Sequence, residues 1–354
     1  MKLKRSKPAA TVVGLDLDPG YVAAAEVEVN GRVSVKRSAI APLHPGVLRD
    51  GEVADPAALT QALSALWAES GLGRQVRLGL ANQRIVVRTL DLPPLEDPKA
   101  IASAVRVEAP DHIPMPMDEA ILDHQVIGLV DTPAGKRTRT VVVAVRRQMV
   151  ERYVEAVRAA GLRIAGIDLS AFALLRALST PEEDGDGGVL YVQVSGLVNV
   201  AVASGGHCLF TRAAAGGLDT MVHALADRRG LTVEHATQWL KHVGLETPVA
   251  EVEGDPEIVA AARTVLEDGV HQLADTVRNS LNFYRMQENA ELVQRGVLTG
   301  PAVSITGFAE HLGTSLGMPV ETRLVPALDE EAGDVSRLAV AAGLSVESVD
   351  LPRR

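Results

Sequence analysis

Three short stretches carry residue types that could hold a phosphate group. The first is Asp16-Leu-Asp-Pro-Gly20, where two carboxylates close an apolar run and a Pro-Gly turn follows. Acidic residues at a strand end can hold Mg²⁺ through water, and turn amides can meet phosphate oxygens. The second is Gln193-Val-Ser-Gly196, again after an apolar run. The third is Gly300-Pro-Ala-Val-Ser-Ile-Thr-Gly307, a strand-to-helix turn whose helix start could face an anion. Gly216-Gly217 stands before a further helix. Singly, each has an ordinary explanation: an Asp at a strand end caps a turn, and paired glycines answer a backbone need. Their order along the chain and their positions at element ends raise a joint expectation, a cleft for phosphate or nucleotide.

Other constellations are weaker. Glu108, Asp111 and His112 sit at a helix end between Pro110 and Pro114, where surface and cap roles explain them. The nine His residues show no His-Glu-x-x-His spacing, and no P-loop or Gly-x-Gly-x-x-Gly occurs. Ser170 and Ser195 lack the glycines of a nucleophile elbow. Pro181 to Gly188 is acidic and Gly-rich, but it lacks the spacing and closing Glu of a calcium loop and reads as a linker.

The elements that must position these residues alternate between strand and helix patterns. Thr11–Leu17, Tyr21–Val29 and Val33–Ile40 read as antiparallel strands, with Asn30-Gly31 as a hairpin signal. Asp55-Pro56 opens a helix to Ser70 that Gly71 stops. Val76–Ala81 is a fourth strand. This order suggests a ribonuclease-H-like unit. Ile85–Leu92, Ala120–Leu129 and Thr138–Val145 read as strands, and Asp97–Glu108 and Gln148–Ala160 as helices. Arg163–Asp168 is a strand and Ser170–Leu178 a helix. Beyond the linker, Val189–Ala203 and Cys208–Ala213 supply strands. Helices follow at Asp219–Arg229, Val233–His242, Pro256–Asp268 and Val270–Glu288. Val297–Gly300 is a strand into a turn, and Thr306–Leu316 a helix. Both halves begin with strands and a turn, as an internal duplication would.

Composition bounds the possibilities. The 354 residues hold 35 basic and 45 acidic side chains, a net charge of −10, and only 3% aromatics. An acidic, aromatic-poor chain lacks the basic surface and stacking platforms of a nucleic-acid binder. One cysteine, Cys208, excludes a disulfide framework and any multi-Cys metal site. The basic start, Met1 to Lys7, has no apolar signal core after it. Gly187–Thr211 is uncharged and long enough to span a bilayer, but Ser204-Gly205-Gly206 breaks it into strands joined by a hairpin.

Four stretches together resemble a known family. They are Val13-Gly-Leu-Asp-Leu-Asp-Pro-Gly20; Glu108 to Asp123; Ala159-Ala-Gly-Leu-Arg-Ile-Ala-Gly-Ile-Asp168; and Ser280-Leu-Asn-Phe-Tyr284 with Val297-Leu-Thr-Gly300 and Gly307. The chain is similar to the PilM family, the actin-like components of type IV pilus assembly, relatives of the division protein FtsA. The resemblance implies an α/β, actin-like ATPase fold of two ribonuclease-H-like halves, with an inserted 1C subdomain of SHS2 type. It divides the chain into 1A (1–84), 1C (85–165), the remainder of 1A with a linker (166–184), and a second half (185–354) with 2B at about 222–290. It implies a cytoplasmic protein, peripheral to the inner membrane, that docks the cytoplasmic N-terminal tail of a bitopic PilN-like protein in a groove between 1A and 1C. Other motor-platform proteins would be further partners, and the membrane would be reached only through a partner. The end of the chain, Ala342 to Arg354, lacks the amphipathic membrane helix of FtsA.

The resemblance also implies ATP and Mg²⁺ at Asp16, Asp18, Gly20, Gln193, Ser195, Gly196, Gly216, Gly217, Lys241, Gly300, Pro301 and Gly307, with Asp16 toward the metal. Several of these depart from the family pattern. Asp18 replaces the usual Gly, and Ala23 the usual Lys. Gln193-Val-Ser195 stands for Asp-x-Gly, Thr237 and Leu240 for the ribose-facing Glu and Lys, and Pro301 for a Gly. Each lost charge-assisted contact costs about 1.5–3 kcal/mol. Three such losses carry a micromolar affinity beyond about millimolar. The expectation is a degenerate nucleotide site and weak or absent ATPase activity. The alternative is an active nucleotide-hydrolysing relative, such as an FtsA-like filament protein or a sugar-kinase-like enzyme.

Overall fold

A computed structural model describes residues 12–133, 135–180, 187–287, 290–328 and 333–346. The basic start, most of the acidic stretch 181–188, Glu288 and the tail from 347 lie outside the described residues.

The first half opens with β1 (Val13–Asp18), β2 (Tyr21–Val29) and β3 (Val33–Pro42), followed by the two-residue strands β4 (Leu48–Arg49) and β5 (Glu52–Val53). Helix α1 (Pro56–Ser70) follows. The Asp55 side chain accepts the Ala58 N–H at its start, and Gly71, at φ 62°, ends it. Then come β6 (Gln75–Leu80), β7 (Val86–Leu92), α2 (Pro98–His112), β8 (Ala120–Thr132), β9 (Gly135–Arg146), α3 (Arg147–Ala159), β10 (Arg163–Leu169) and α4 (Ser170–Leu178). The second half runs β11 (Gly188–Val194), β12 (Val198–Ser204), β13 (His207–Ala214), α5 (Leu218–Arg229), α6 (Val233–Val243), α7 (Pro256–Arg285), β14 (Val293–Thr299), α8 (Phe308–Leu316), β15 (Val320–Thr322) and α9 (Ala339–Ser345).

Two five-stranded sheets share one plan. The orders are β3-β2-β1-β6-β10 and β13-β12-β11-β14-β15. In each, the first three strands pair antiparallel and the last two join in parallel. A smaller sheet, β7-β9-β8, carries α2 and its own core, in which Leu90, Leu92, Ile101 and Val105 meet Val142 and Ala144. Helix α3 packs instead with the first sheet, where Met149, Tyr153 and Val157 join Leu59, Leu63 and Trp67.

Strand alternation divides the cores. Leu190, Val192 and Val194 of β11 face α5–α8, while Val189 and Tyr191 face α4 and α9. That second core is shared by both sheets and is built from small residues, including Ala23, Ala25, Ala201 and Ala203. Close approach requires them. A Cβ at Gly14 would fall 1.8 Å from the Ala341 carbonyl, and one at Gly343 would fall 1.8 Å from that of Ala173. All seven residues of α9 are buried.

Several elements differ from the sequence expectation. Val189–Ala203 is two strands, because the chain reverses at Ser195–Leu197, where the Ser195 N–H donates to the Leu197 carbonyl. Pro256 to Arg285 is one helix: Gly269, which reads as a break, is overlaid by Met221, whose Sδ lies 2.6 Å from where a Cβ would sit. Helix α2 runs on through Pro110 to His112, since a missing N–H removes only one bond in its last turn. Neither β15 nor α9 was marked by any periodic pattern; α9 is apolar on every face.

Candidate functional site

Two hairpin turns at equivalent places in the duplicated plan meet between the sheets. The β1–β2 turn supplies Asp18-Pro19-Gly20, and the β11–β12 turn supplies Ser195-Gly196-Leu197. The period of a strand places Leu15 and Leu17 in the first-half core and Asp16 and Asp18 on the opposite face. Both carboxylates are buried, with 5% and 6% exposure.

Asp18 is the centre of the contact. Its Oδ2 accepts the Ser195 hydroxyl at 2.6 Å. Its two oxygens accept the Gly196 N–H at 3.1 and 3.2 Å, and Oδ1 also accepts the Gly20 N–H at 3.1 Å. Burial, then the nearby Asp219 carboxylate, pushes Asp18 up to about 6, against the lowering effect of Ser195, Gly20 and Gly196. Asp16 is raised well above the carboxylate range, first by burial and then by Asp18.

The Gly216-Gly217 turn closes on the same place. The Leu218 N–H donates to the Ser195 carbonyl at 2.7 Å, and a Cβ at Gly217 would lie 2.0 Å from that oxygen. Asp219, in the first turn of α5, lies against Gly20 and Gly196: Cβ atoms there would fall 2.9 and 2.8 Å from its Oδ2. Burial raises Asp219, and His223 and Arg337 moderate the rise.

The other expected residues are placed differently. Gln193 is buried, and its Oε1 accepts Asn199 Nδ2 at 2.8 Å across the β11–β12 pair. Gly300, at φ 92°, lets β14 end 2.6 Å (Cβ position) from the Val194 carbonyl. Pro301 then opens a short turn through Ser304 that packs on residues 335–337. Gly307, at φ 80°, starts α8 against the backbone of Leu245 and Glu246. Lys241, on α6, acts electrostatically on Asp334. Ala23, where the family's Lys was expected, is fully buried in the core shared by the sheets.

Two site residues, Arg337 and Asp219, are missing from the sequence reading of the site. Arg337 lies over the Tyr21 ring, 4.7 Å from its centroid, and its Nε donates to Asp334 Oδ2 at 3.1 Å. Despite burial, Ser336 and Arg337 hold Asp334 below the usual range. Asp219 could have been found as an acid opening a helix just after Gly216-Gly217. Arg337 ends the three-residue 3-10 turn Val335–Arg337, capped by Asp334 and too short to carry a periodic pattern. Among the described residues no group of three His, Cys, Asp or Glu side chains is arranged to hold a metal ion, and no helix is long and apolar enough to cross a membrane. Burial pushes the Cys208 thiol up to about 12.

The sequence model of the family described as type IV pilus assembly protein PilM matches residues 14–329. The chain belongs to the PilM family. A solved structure titled "PilM-PilN type IV pilus biogenesis complex" is 27% identical, at a TM-score of 0.75, covering 96% of this chain and 98% of that one. The ethanolamine utilization protein EutJ from Carboxydothermus hydrogenoformans is 19% identical, at a TM-score of 0.52, covering 96% of this chain and 90% of its own. MreB5 of Spiroplasma citri bound to ADP is 12% identical, at 0.53, covering 94% of each. These last two share the fold alone. With the duplicated sheets, they place this PilM-family chain in the actin-like ATPase fold, as its sequence implied.

Proposed function

We propose that this chain is a scaffold of type IV pilus assembly whose nucleotide site is degenerate. It docks the cytoplasmic N-terminal tail of a bitopic inner-membrane protein of PilN kind and couples it to other motor-platform proteins. The sheet β7-β9-β8 with α2 corresponds on this reading to an SHS2-type 1C subdomain, and the tail lies in the groove where 1C meets 1A. A tail held there would keep the protein peripheral to the membrane.

One observation supports the degenerate site above the rest: the turn donors that would receive a phosphate already hold Asp18. The remaining residues do not fit a Mg-nucleoside triphosphate. Asp219 adds a second carboxylate beside Asp18. Gln193 is tied to Asn199, Ala23 is sealed in the core, and Pro301 has no N–H to offer. No catalytic residue is assigned.

Calorimetric titration with Mg-ATP tests this reading, with no heat expected below millimolar nucleotide. Micromolar binding would restore the alternative of an active ATP-hydrolysing relative. Pull-down with a soluble peptide from the cytoplasmic N-terminus of a PilN-like protein tests the docking role. Retention is expected, and its absence removes that role.

A further inference from the structure

The donors around Asp18 form a seat assembled from both halves of the molecule. Gly20 N–H comes from the first half, and Gly196 N–H and the Ser195 hydroxyl come from the second. All three point at one carboxylate, and two donors from opposing turns are what the oxygens of a phosphate would require. The seat is tight as well as polar. A Cβ at Gly196 would lie 2.6 Å from Asp18 Oδ1 and 3.0 Å from Pro19 Cδ, so only glycine brings the second turn this close. The Ser195–Asp18 bond is buried and spans 177 residues of sequence.

We propose that the Asp18 carboxyl is a tethered stand-in: it fills a seat shaped for a phosphate oxyanion and so joins the two halves without a ligand. This rests on the degenerate-site reading and extends it from a loss of binding to a gain of internal linkage. A group held by the chain itself competes at an effective concentration that free phosphate does not match. The charges facing it reinforce the exclusion. Asp16 and Asp219 lie on its own side of the balance, and Arg337 and His223 are the cations that act on this cluster. Removing the Asp18 carboxylate leaves three donors aimed at an empty place and lowers the negative charge around them. The vacated seat then accepts an oxyanion from solution.

The test compares wild type, Asp18→Ala and Asp18→Asn in thermal unfolding and titration with inorganic phosphate and pyrophosphate. Asp18→Ala empties the seat; Asp18→Asn keeps it filled by a neutral group of the same shape. The expected result is that Asp18→Ala melts lower than wild type, is restored by pyrophosphate, and binds it at least about tenfold more tightly. Wild type and Asp18→Asn show neither response. A folded Asp18→Ala that ignores both anions overturns the tether. If Asp18→Ala does not fold, amide exchange at Gly196 decides: protection in wild type and Asp18→Asn supports the seat, and fast exchange in both overturns it. Micromolar Mg-ATP binding by wild type would instead overturn the degenerate-site reading, so the two failures are distinct.

Discussion

The β1–β2 and β11–β12 turns occupy the same place in two sheets of the same strand order, yet their chemistry is opposite. The first turn presents an acceptor, the Asp18 carboxylate. The second presents donors, the Ser195 hydroxyl and the Gly196 N–H. The carboxylate carried by one turn is held by donors of the other, so the two turns meet directly, and one side chain makes two like turns unlike.

Four substitutions test how far the two turns differ. The largest effect is expected at Gly217→Ala, where the new Cβ would meet the Ser195 carbonyl at 2.0 Å. Backbone on backbone has no rotamer to escape through, so the second turn must move. Denaturant unfolding should record a loss of about 4 kcal/mol.

Asp18→Asn should be visible in the pH dependence. Asp18 is raised from 3.8 to about 6 on folding, so the folded chain binds the proton more tightly than the unfolded one. Stability from this group is full below the unfolded value and is lost as pH rises from about 4 to about 6. Asp16 and Asp219, also raised, tilt the profile the same way. The asparagine variant lacks the Asp18 share. Its stability relative to wild type should improve by about 3 kcal/mol between pH 4 and pH 7, as roughly two pKa units imply. Parallel profiles for the two proteins would contradict this assignment.

Ser195→Ala removes one donor from a buried carboxylate and should cost about 2 kcal/mol at neutral pH. The same measurement on Gly20→Ala should show less than about 1 kcal/mol, although it sits in the matching turn. There the new Cβ meets the far end of the Asp219 side chain, at 2.9 Å, and that end can rotate away. Equal costs for Gly20→Ala and Gly217→Ala would mean that the Asp219 side chain yields no more readily than the Ser195 carbonyl.

Much of this arrangement was legible before the structure. Apolar runs marked the strands of both sheets except β15, and Asp55-Pro56 and Asp97-Pro98 marked helix starts because an Asx cap and a proline act locally. What escaped depends on distant partners. Gly269 reads as a break until Met221 covers it. Helix α9 has no polar face, so it shows no amphipathic period, and its Ala and Gly residues fit only because Gly14 lies opposite. At the site, the turns could be named from residue types, and Asp18 could be recognised as a misplaced charge. Its partners could not, since Ser195 is brought to it by the whole fold. Arg337 reaches the site from a three-residue 3-10 turn capped by Asp334, too short to show a period.

Helix α9 ties the order of synthesis to the order of folding. The first sheet is complete in its strands once residue 169 has been made, but the face that α9 covers stays open until residues 339–345 arrive. Arg77 and Arg176 then hold the carbonyls of Leu344 and Gly343, and the Ser345 hydroxyl reaches the Val12 carbonyl. During synthesis from the N-terminus, the apolar face that α9 covers is therefore completed only after the second half has been made, and until then it lies open to chaperones.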